Sequence, residues 1–524
     1  MEWEGMVITE MLARNARMYG DETALIERDP TAGIRREISW RRFYELANQT
    51  ANALRRQGVK KGDRVVLLLM NCIEWLPAYF GILRAGAIAV PLNFRFQSPD
   101  ISRCVRVSSA RAMVFGEAFI EQITPAKEEI EQWIRLWVYV GQFRRCPGYA
   151  CFFEDFVQQQ PASPPAVDID LWDGAGIYFT SGTTGKPKGV YLLHRQLEFS
   201  CYAENRHHNQ THEDNFLCIP PLYHTGAKMH WFGSLIVGGR AVILKGTSPE
   251  AILGAVSDEQ VSIVWLLVPW AHDILVAIDN GDIDLSRYKL DQWRLMHIGA
   301  QPVPPSLIQR WKSCFPGHDY DTNYGLTEAT GPGCVHLGME NYHKIGAIGI
   351  AGFDWECRIA DDTGETVPEG RAGELLVKGP GVMAGYYQNP EATACVLQNG
   401  WLRTGDIARR DADGFIWLID RKKDIIITGG ENIFPVEIEN FLMTHEDILD
   451  AGVIGVPDIR LGEIVAAVIA VKPGRNLSEE EIRGFCKGLA RYKRPRRIFF
   501  DDVPRNPTGK IEKPKLRRRF GNAG

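Results

Sequence analysis

Residues 65–91 read VVLLLMNCIEWLPAYFGILRAGAIAVP, and this stretch decides the fold class. Residues 65–69 are a short, continuous apolar run, which predicts a buried strand. Residues 74–84 predict a helix that stops before Gly86, and residues 87–91 predict a second strand. A strand, a helix and a strand within ~30 residues make a crossover unit of a parallel sheet.

The same alternation recurs along the chain. Further strands are predicted at residues 112–115, 136–140, 176–179, 241–244 and 263–267, and a helix at residues 41–54. From residue 359 the sequence changes to short strands with tight turns, and a smaller α+β unit follows Arg421. Because 524 residues are too many for one core, we predict two domains. The first, over residues 1–420, is a large α/β domain with mainly parallel sheets and a β-rich subdomain; the second, over residues 421–524, is a small mobile α+β domain.

The composition narrows the class of protein. Hydrophobic residues make up 45% and charged residues 24%, as in ordinary globular proteins. A formal net charge of -5 and a pI of about 6.2 lack the basic excess of nucleic-acid-binding proteins. No apolar run approaches the ~20 residues of a membrane span, and the eleven cysteines show no metal-ligand spacing. We expect a cytoplasmic protein with no nucleic-acid partner and no transmembrane segment; a homodimer is left open.

A Gly-rich loop follows the strand predicted at residues 176–179. Residues 180–189 read TSGTTGKPKG, with three glycines, four hydroxyl residues and two lysines in ten positions. Glycines let backbone N–H groups approach an anion closely, and hydroxyls and lysines add donors and charge. The Walker A pattern is not met, because Thr180 stands at its first glycine and Pro187 follows Lys186. The loop predicts phosphate binding of another kind.

This loop resembles the signature loop of the adenylate-forming superfamily, which contains acyl-CoA synthetases, peptide-synthetase adenylation domains and firefly-type luciferases. Further motifs follow in the family's order: residues 221–226 (PLYHTG), 299–302 (GAQP), 324–328 (YGLTE), 404–406 (TGD), 420–439 and 504–510 (PRNPTGK). The resemblance covers nearly the whole chain. It implies an AMP-forming acyl-CoA synthetase that uses ATP and Mg²⁺ to activate a carboxylic acid and then transfers the acyl group to coenzyme A.

The resemblance also implies roles for the motif residues in adenylation. Glu328 would hold Mg²⁺, which prefers oxygen ligands, and Thr327 would touch the α-phosphate. Lys510, on a Pro/Gly-rich segment, would bridge the substrate carboxylate and the α-phosphate as a mobile point charge. The implied ATP and AMP contacts are Thr180, Ser181, Gly182, Thr183, Thr184, Gly185, Lys186, Ala300, Gln301, Asn323, Tyr324, Gly325, Asp406 and Arg421.

The second half-reaction involves other residues in this resemblance. Lys423 matches the hinge about which the small domain rotates, and Gly429, Gly430 and Glu431 would line the coenzyme A tunnel. His224 would sit where the acid pocket and the tunnel meet and is counted among the catalytic residues. The implied acyl-substrate contacts are His224, Thr225, Gly226, Lys228, Trp231 and Gly299.

The size of the acid is inferred from the bulky side chains near the predicted pocket. Rigid rings at Trp231, Phe232, Trp265 and Trp270 would shorten a pocket, so we favour a compact cyclic or aromatic acid, or one of short to medium chain length. A long-chain fatty acid is the second choice and a carnitine-like acid the third. Lys228 is expected to face solvent in preference to the acid.

Two rival functions are left open. The first is an adenylating enzyme with an acceptor other than coenzyme A. The second, of another class, is a non-catalytic nucleotide-binding regulator. The presence of Lys510 and Glu328 disfavours the regulator.

Overall fold

The computed structural model describes residues 5–180, 187–299, 303–428, 431–505 and 510–521. The strands are β1 (Thr23–Asp29), β2 (Ile34–Ser39), β3 (Arg64–Leu68), β4 (Ile88–Pro91), β5 (Ala112–Gly116), β6 (Leu136–Val140), β7 (Cys151–Phe152), β8 (Gly174–Thr180), β9 (Lys188–Leu193), β10 (Asn215–Cys218), β11 (Arg240–Leu244), β12 (Ile263–Leu267), β13 (Leu295–Gly299), β14 (Asp319–Leu326), β15 (Gly331–His336), β16 (Ile350–Ala351), β17 (Glu356–Ala360), β18 (Gly373–Lys378), β19 (Gly385–Tyr386), β20 (Leu397–Gln398), β21 (Trp401–Arg410), β22 (Ile416–Arg421), β23 (Ile426–Thr428), β24 (Glu431–Ile433), β25 (Ile448–Asp458), β26 (Gly462–Val471) and β27 (Arg497–Phe500). The α-helices are α1 (Ile8–Met18), α2 (Trp40–Arg56), α3 (Trp75–Arg84), α4 (Ser98–Ser108), α5 (Ile120–Ile130), α6 (Phe153–Gln158), α7 (His194–His208), α8 (Thr225–Leu235), α9 (Pro249–Asp258), α10 (Val268–Asp279), α11 (Pro305–Cys314), α12 (Pro390–Val396), α13 (Pro435–Leu442), α14 (Glu479–Phe485) and α15 (Lys513–Phe520).

The stretch at residues 65–91 forms the predicted crossover. Strands β3 and β4 pair in parallel, with Val65 opposite Ala89, and α3 connects them. Every residue of α3 is buried, including Trp75, Tyr79 and Phe80, so the continuous apolar character of this stretch reflects burial on all sides. The prediction of a parallel α/β domain is confirmed.

Two large sheets carry the α/β part of the chain. Their strand orders are β19-β9-β8-β4-β3-β5-β6-β7 and β16-β15-β14-β13-β12-β10-β11-β1-β2. The central pairs of both sheets are parallel, and antiparallel pairs stand at the edges. Helices cover these sheets, so the central strands are buried on both faces, as expected for parallel sheets.

Two smaller sheets follow. Strands β17, β18, β20, β21 and β22 form an antiparallel sheet. Strands β23–β27 form a mixed sheet, in which, among the described strands, only β26 and β27 pair in parallel, and α13 packs on β25. Strand β22 ends at Arg421, and β23 begins at Ile426 in the other sheet, so the predicted boundary after residue 420 falls beside a change of sheet. The domain division itself stays a prediction. No helix in the described ranges has both the length and the apolar character needed to cross a membrane.

The topology brings the ends of three strands to one region. Thr180 ends β8, Gly299 ends β13 and Leu326 ends β14. In open α/β sheets, ligands bind beyond the carboxyl ends of the parallel strands. The predicted motif residues follow these strand ends.

Helices α2 and α3 approach each other closely at Gly81. A Cβ at Gly81 would lie 2.5 Å from Thr50 Cβ and 3.0 Å from the Ala47 carbonyl oxygen of α2. Gly81→Ala should therefore destabilise the protein by about 1–3 kcal/mol, although alanine is the better helix former. The measurement is the midpoint of thermal unfolding, which should fall.

The matched control is Gly254→Ala in α9, where an added Cβ would meet no described atom within 4 Å. This control should raise stability by about 0.5–1 kcal/mol. An unchanged or higher midpoint for Gly81→Ala would show that the two helices can separate at little cost.

Candidate active site

Asp406 is buried where three segments of the chain meet. The hydroxyl of Tyr324 in β14 donates a hydrogen bond to Asp406 Oδ2 at 2.5 Å. Arg421 Nε lies 2.9 Å from Oδ1, because Asp406 and Arg421 are directly opposite in β21 and β22. The Asp406 carboxylate raises the pKa of the Arg421 guanidinium. Three predicted nucleotide contacts are thus brought together.

Glu328 stands in a short turn directly after β14. Its Oε1 accepts a hydrogen bond of 2.9 Å from the hydroxyl of Tyr386, and its backbone carbonyl accepts one of 2.8 Å from the Met383 N–H. Burial, and then the Glu328 charge, raise the pKa of Tyr386. The neighbouring Thr327 adds a hydroxyl. Carboxylate and hydroxyl oxygens suit Mg²⁺, so this donor set fits the ion that the sequence implies.

Lys510 reaches this region from the C-terminal segment. The residue as a whole is exposed, yet the surrounding protein removes much of the solvation of its ammonium group. Loss of solvation is the largest effect and lowers the pKa of Lys510 to about 8; repulsion from Arg421 acts in the same direction, and attraction to Asp406 and Glu328 opposes it. The structure therefore places the predicted catalytic lysine among the predicted nucleotide and metal contacts.

His224 lies at the start of α8, with its ring centroid 4.5 Å from that of Tyr223. Burial, followed by the charges of Lys510 and Lys228, lowers the pKa of His224 to about 3. The imidazole is therefore neutral at pH 7. A neutral ring adds no charge beside Lys510 and can serve as a wall or as a hydrogen-bonding group.

Two predicted acyl-pocket glycines face the same ring. A Cβ at Gly226 would lie 3.1 Å from Trp265 Cη2, and one at Gly299 would lie 4.0 Å from Trp265 Nε1. Trp265, in β12, is only 6% exposed. The indole of Trp265 therefore packs closely against Gly226 and lies beside Gly299. His230 lies on the same side, with its ring centroid 4.5 Å from that of Trp265.

Lys228 and Trp231 lie on another face of α8. At 100° per residue they are close neighbours on the helix, but each is turned well away from Gly226. Lys228 is fully buried and Trp231 likewise, so the expectation that Lys228 faces solvent is wrong: α8 is buried almost all round. This geometry favours Trp265 and His230 over Lys228 and Trp231 as acyl contacts.

The buried ammonium group of Lys228 has defined neighbours. Its Nζ lies 3.2 Å from the His224 carbonyl oxygen and 4.2 Å from the ring centroid of Tyr178. Burial holds its pKa well below the usual value. Trp75 and Tyr79 of α3 complete the aromatic surroundings at 5.8 and 5.6 Å.

The predicted hinge stands in the connection between β22 and β23. Lys423 is in a 3₁₀ turn, Lys422–Asp424, and burial lowers its pKa. On either side, the Asp420 carboxylate accepts a hydrogen bond from the Val436 N–H, and Asp424 pairs with Arg517 at 2.8 Å. This connection is thus tied to the C-terminal segment at both ends.

The other predicted contacts have varied surroundings. Thr180 ends β8 opposite Lys188, Thr225 is buried, Asn323 is half-buried and Gly325 is exposed. Glu431 is exposed at the start of β24. Predicted contacts that lie outside the described residues are Ser181, Gly182, Thr183, Thr184, Gly185, Lys186, Ala300, Gln301, Gly429 and Gly430.

Sequence reasoning did not assign Tyr386 or His230 to the site, and it named Trp265 only as one of four rings that would shorten the pocket. Tyr386 lies 58 positions from the carboxylate it contacts, and no motif marks it. Trp265 could be identified as bulky but not as the ring opposite two glycines, because that contact depends on the order of β12 and β13 in the sheet.

Comparison with known proteins agrees with this geometry. Residues 12–387 match the family model described as AMP-binding enzyme, and residues 437–510 match the AMP-binding enzyme C-terminal domain. A feruloyl-CoA synthase of Amycolatopsis sp is 35% identical over 513 residues, which cover 97% of this chain and 98% of that protein. A long-chain-fatty-acid–CoA ligase of Mycobacterium tuberculosis is 29% identical, with 97% and 98% covered.

Among solved structures, the anthranilate CoA ligase AuaEII in complex with anthranoyl-AMP superposes with a TM-score of 0.88 at 28% identity, covering 99% of this chain and 98% of that one. The fold, the grouping of Lys510 with Asp406, Arg421 and Glu328, and the two family models lead to one assignment: this chain belongs to the AMP-binding, adenylate-forming enzyme family.

Proposed function

We propose a division of roles and a substrate class for this protein, which is an AMP-forming acid–CoA ligase that uses ATP, Mg²⁺ and coenzyme A. The observation that carries the division of roles is the proximity of Lys510 to Asp406, Arg421 and Glu328, whose charges all act on its pKa. These four side chains combine mobile charge, fixed charge and a metal-binding carboxylate in one cleft.

In the first step, a carboxylate oxygen attacks the α-phosphorus of ATP, the bond to the β-phosphate breaks, and pyrophosphate leaves. Both reactants are anions, so catalysis is mainly electrostatic. Lys510 bridges the two anions, and Asp406 and Arg421 hold the ribose. Glu328 would hold Mg²⁺, which would neutralise phosphate charge, and Thr327 would touch the α-phosphate. Residues 180–186 contact the outer phosphates.

In the second step, the thiol of coenzyme A loses its proton, its sulfur attacks the acyl carbonyl, the bond to AMP breaks, and a thioester forms. Lys510 has to leave for the thiol to enter, and Lys423 is the hinge that permits this. The ties from Asp420 to Val436 and from Asp424 to Arg517 support this assignment, since they fasten the turn to the segment that would move. Gly429, Gly430 and Glu431 line the path of the thiol arm.

The acid is a compact monocarboxylate, cyclic or aromatic or of short to medium chain length. The position of Trp265 beside Gly226 and Gly299 supports this, because a rigid indole that fills the space next to both glycines would shorten the pocket. The names of two relatives, feruloyl-CoA synthase and anthranilate CoA ligase, point to aromatic acids, whereas that of the mycobacterial relative points to long chains. A cytoplasmic location and a homodimer stay predictions.

Lys510→Ala separates the two steps. Loss of the bridging charge should slow acid-dependent adenylate formation by about two to three orders of magnitude. Conversion of supplied acyl-AMP and coenzyme A to thioester should continue at close to the wild-type rate. The two rates are measured as ATP–pyrophosphate exchange and as thioester formation.

Lys423→Pro is the complementary variant. Proline fixes φ near about −65°, which should hinder the hinge, so adenylate formation should persist while thioester formation falls. Equal loss of both steps in Lys510→Ala, or two wild-type rates in Lys423→Pro, would contradict the division of roles.

The acid class is tested by specificity constants for benzoate, cyclohexanecarboxylate and a series of linear acids from butanoate to hexadecanoate. We expect the ring acids or the shorter linear acids to be preferred, with broad overlap between neighbours, since one methylene contributes only ~0.8 kcal/mol. Trp265→Ala should move the preference to longer chains.

Trp231→Ala is the matched control. It also removes a buried indole, but from the face of α8 that is turned away from Gly226. It should leave the order of substrates unchanged. A wild-type optimum at tetradecanoate or hexadecanoate, or a shift caused by Trp231→Ala and not by Trp265→Ala, would refute the proposed pocket.

A further inference from the structure

Five buried polar side chains cluster beside Trp265, and only His230 among them is also a candidate acyl contact. They are Glu204 and His208 of α7, His230 of α8, His297 of β13 and Asp321 of β14, each at most 4% exposed. Glu204 and His208 are four residues apart and share one face of α7. His297 and Asp321 are cross-strand partners. The packing of α7 and α8 and the pairing of β13 with β14 thus bring these five side chains together.

Glu204 has close neighbours but poorly formed hydrogen bonds. Its Oε2 lies 2.9 Å from His230 Nδ1 and 3.3 Å from His208 Nδ1. Neither carboxylate oxygen accepts a hydrogen bond of ordinary geometry from any donor among the described residues. Glu204 thus has two imidazole nitrogens within 3.3 Å of one oxygen, in a pocket closed to solvent. A buried carboxylate without aligned donors is strongly unfavourable.

Asp321 stands behind one of these rings. Its Oδ2 lies 2.6 Å from His208 Nε2, on the side of the ring away from Glu204, and its Oδ1 is hydrogen-bonded to His297 Nδ1. A carboxylate behind an imidazole is the usual arrangement for a metal-ligating histidine, because it fixes the orientation of the ring and raises its basicity.

We propose that Glu204, His208 and His230 form a binding site for a divalent transition-metal ion of the zinc class. Their ligand atoms lie within 4.8 Å of one another, and tetrahedral bonds of 2.0–2.1 Å place ligand atoms roughly 3.3 Å apart. Two imidazole nitrogens and a carboxylate oxygen at this spacing supply the donor atoms that such an ion prefers. Its two positive charges balance Glu204 and Asp321. The side-chain amide of Gln210 lies 3.4 Å from His208 Nδ1. A bound ion would take the place of this contact.

This ion is distinct from the Mg²⁺ at Glu328 in ligands and in role. Imidazole nitrogens suit zinc, copper and nickel, whereas Mg²⁺ takes oxygen ligands. Because His230 packs against Trp265, the bound ion would fasten α7 to α8 and support the wall of the acyl pocket. It takes no part in the adenylation chemistry.

Metal content and cobalt spectroscopy test the proposal. Full-length protein purified without chelators should contain close to one equivalent of zinc per chain by elemental analysis. Metal-depleted protein, titrated with Co²⁺ under excess Mg²⁺, should give the visible absorption bands of a low-coordinate site and saturate at one equivalent. Glu204→Gln, which keeps the side-chain volume, and His230→Ala should abolish both signals, and Asp321→Asn should weaken Co²⁺ affinity by about 10- to 100-fold.

His318→Ala is the matched control, since His318 is a buried imidazole that stacks on Phe315 outside this cluster. It should bind metal like the wild type. Circular dichroism and thermal unfolding accompany each variant, and Glu204→Gln decides the outcome if His230→Ala does not fold. A wild-type protein without zinc and without cobalt bands, or metal binding that persists in Glu204→Gln, would overturn the proposal.

Discussion

The buried carboxylate of Asp406 is the constraint around which the active site is organised. A buried charge is tolerated only when it is paired and hydrogen-bonded, and Asp406 obtains its partners from two separate sheets. Tyr324 comes from the nine-stranded sheet, and Arg421 stands opposite on the neighbouring strand of the five-stranded sheet. The hydrogen bond from Tyr324 and the ion pair with Arg421 therefore hold the two sheets together at the nucleotide site. They also position the turn that leads to Lys423.

The charges of the cleft divide into fixed and movable groups. Arg421 is held by its ion pair, and Glu328 is held by Tyr386 and by the backbone of Met383. Lys510 has a lowered pKa in this arrangement, so the cleft binds its charge less readily than water does. The phosphate and carboxylate of the substrates would restore that affinity. A cation whose charged form is less stable here than in water suits a reaction in which it must arrive for one step and leave for the next.

Sequence reasoning reached the fold because the deciding pattern is local. The apolar runs at residues 65–69 and 87–91 are each continuous, and Gly86 marks the helix end, so the crossover could be placed within one or two residues. The motif residues were identified by resemblance, and their convergence follows from strand ends at one edge of the sheets. What escaped prediction depends on contacts between distant segments: Tyr386 with Glu328, Trp265 with Gly226, and Glu204 with His230. Lys228 was misjudged because its charge indicates solvent, whereas the sequence does not reveal that α8 is covered on nearly all sides.

The claim that the charge of Lys510 drives adenylation is tested most directly by pH dependence. The measurement is kcat/KM for ATP in acid-dependent ATP–pyrophosphate exchange across the neutral and alkaline range, which reports ionisation in the free enzyme. Because the pKa of Lys510 is lowered to about 8 and the charged form is the active one, the account predicts a constant value below that pH and a fall of about tenfold per pH unit above it. Lys510→Arg, whose guanidinium stays charged, should be slower but lack this fall. A wild-type profile that stays level through the alkaline range, or an identical fall in Lys510→Arg, would contradict the account.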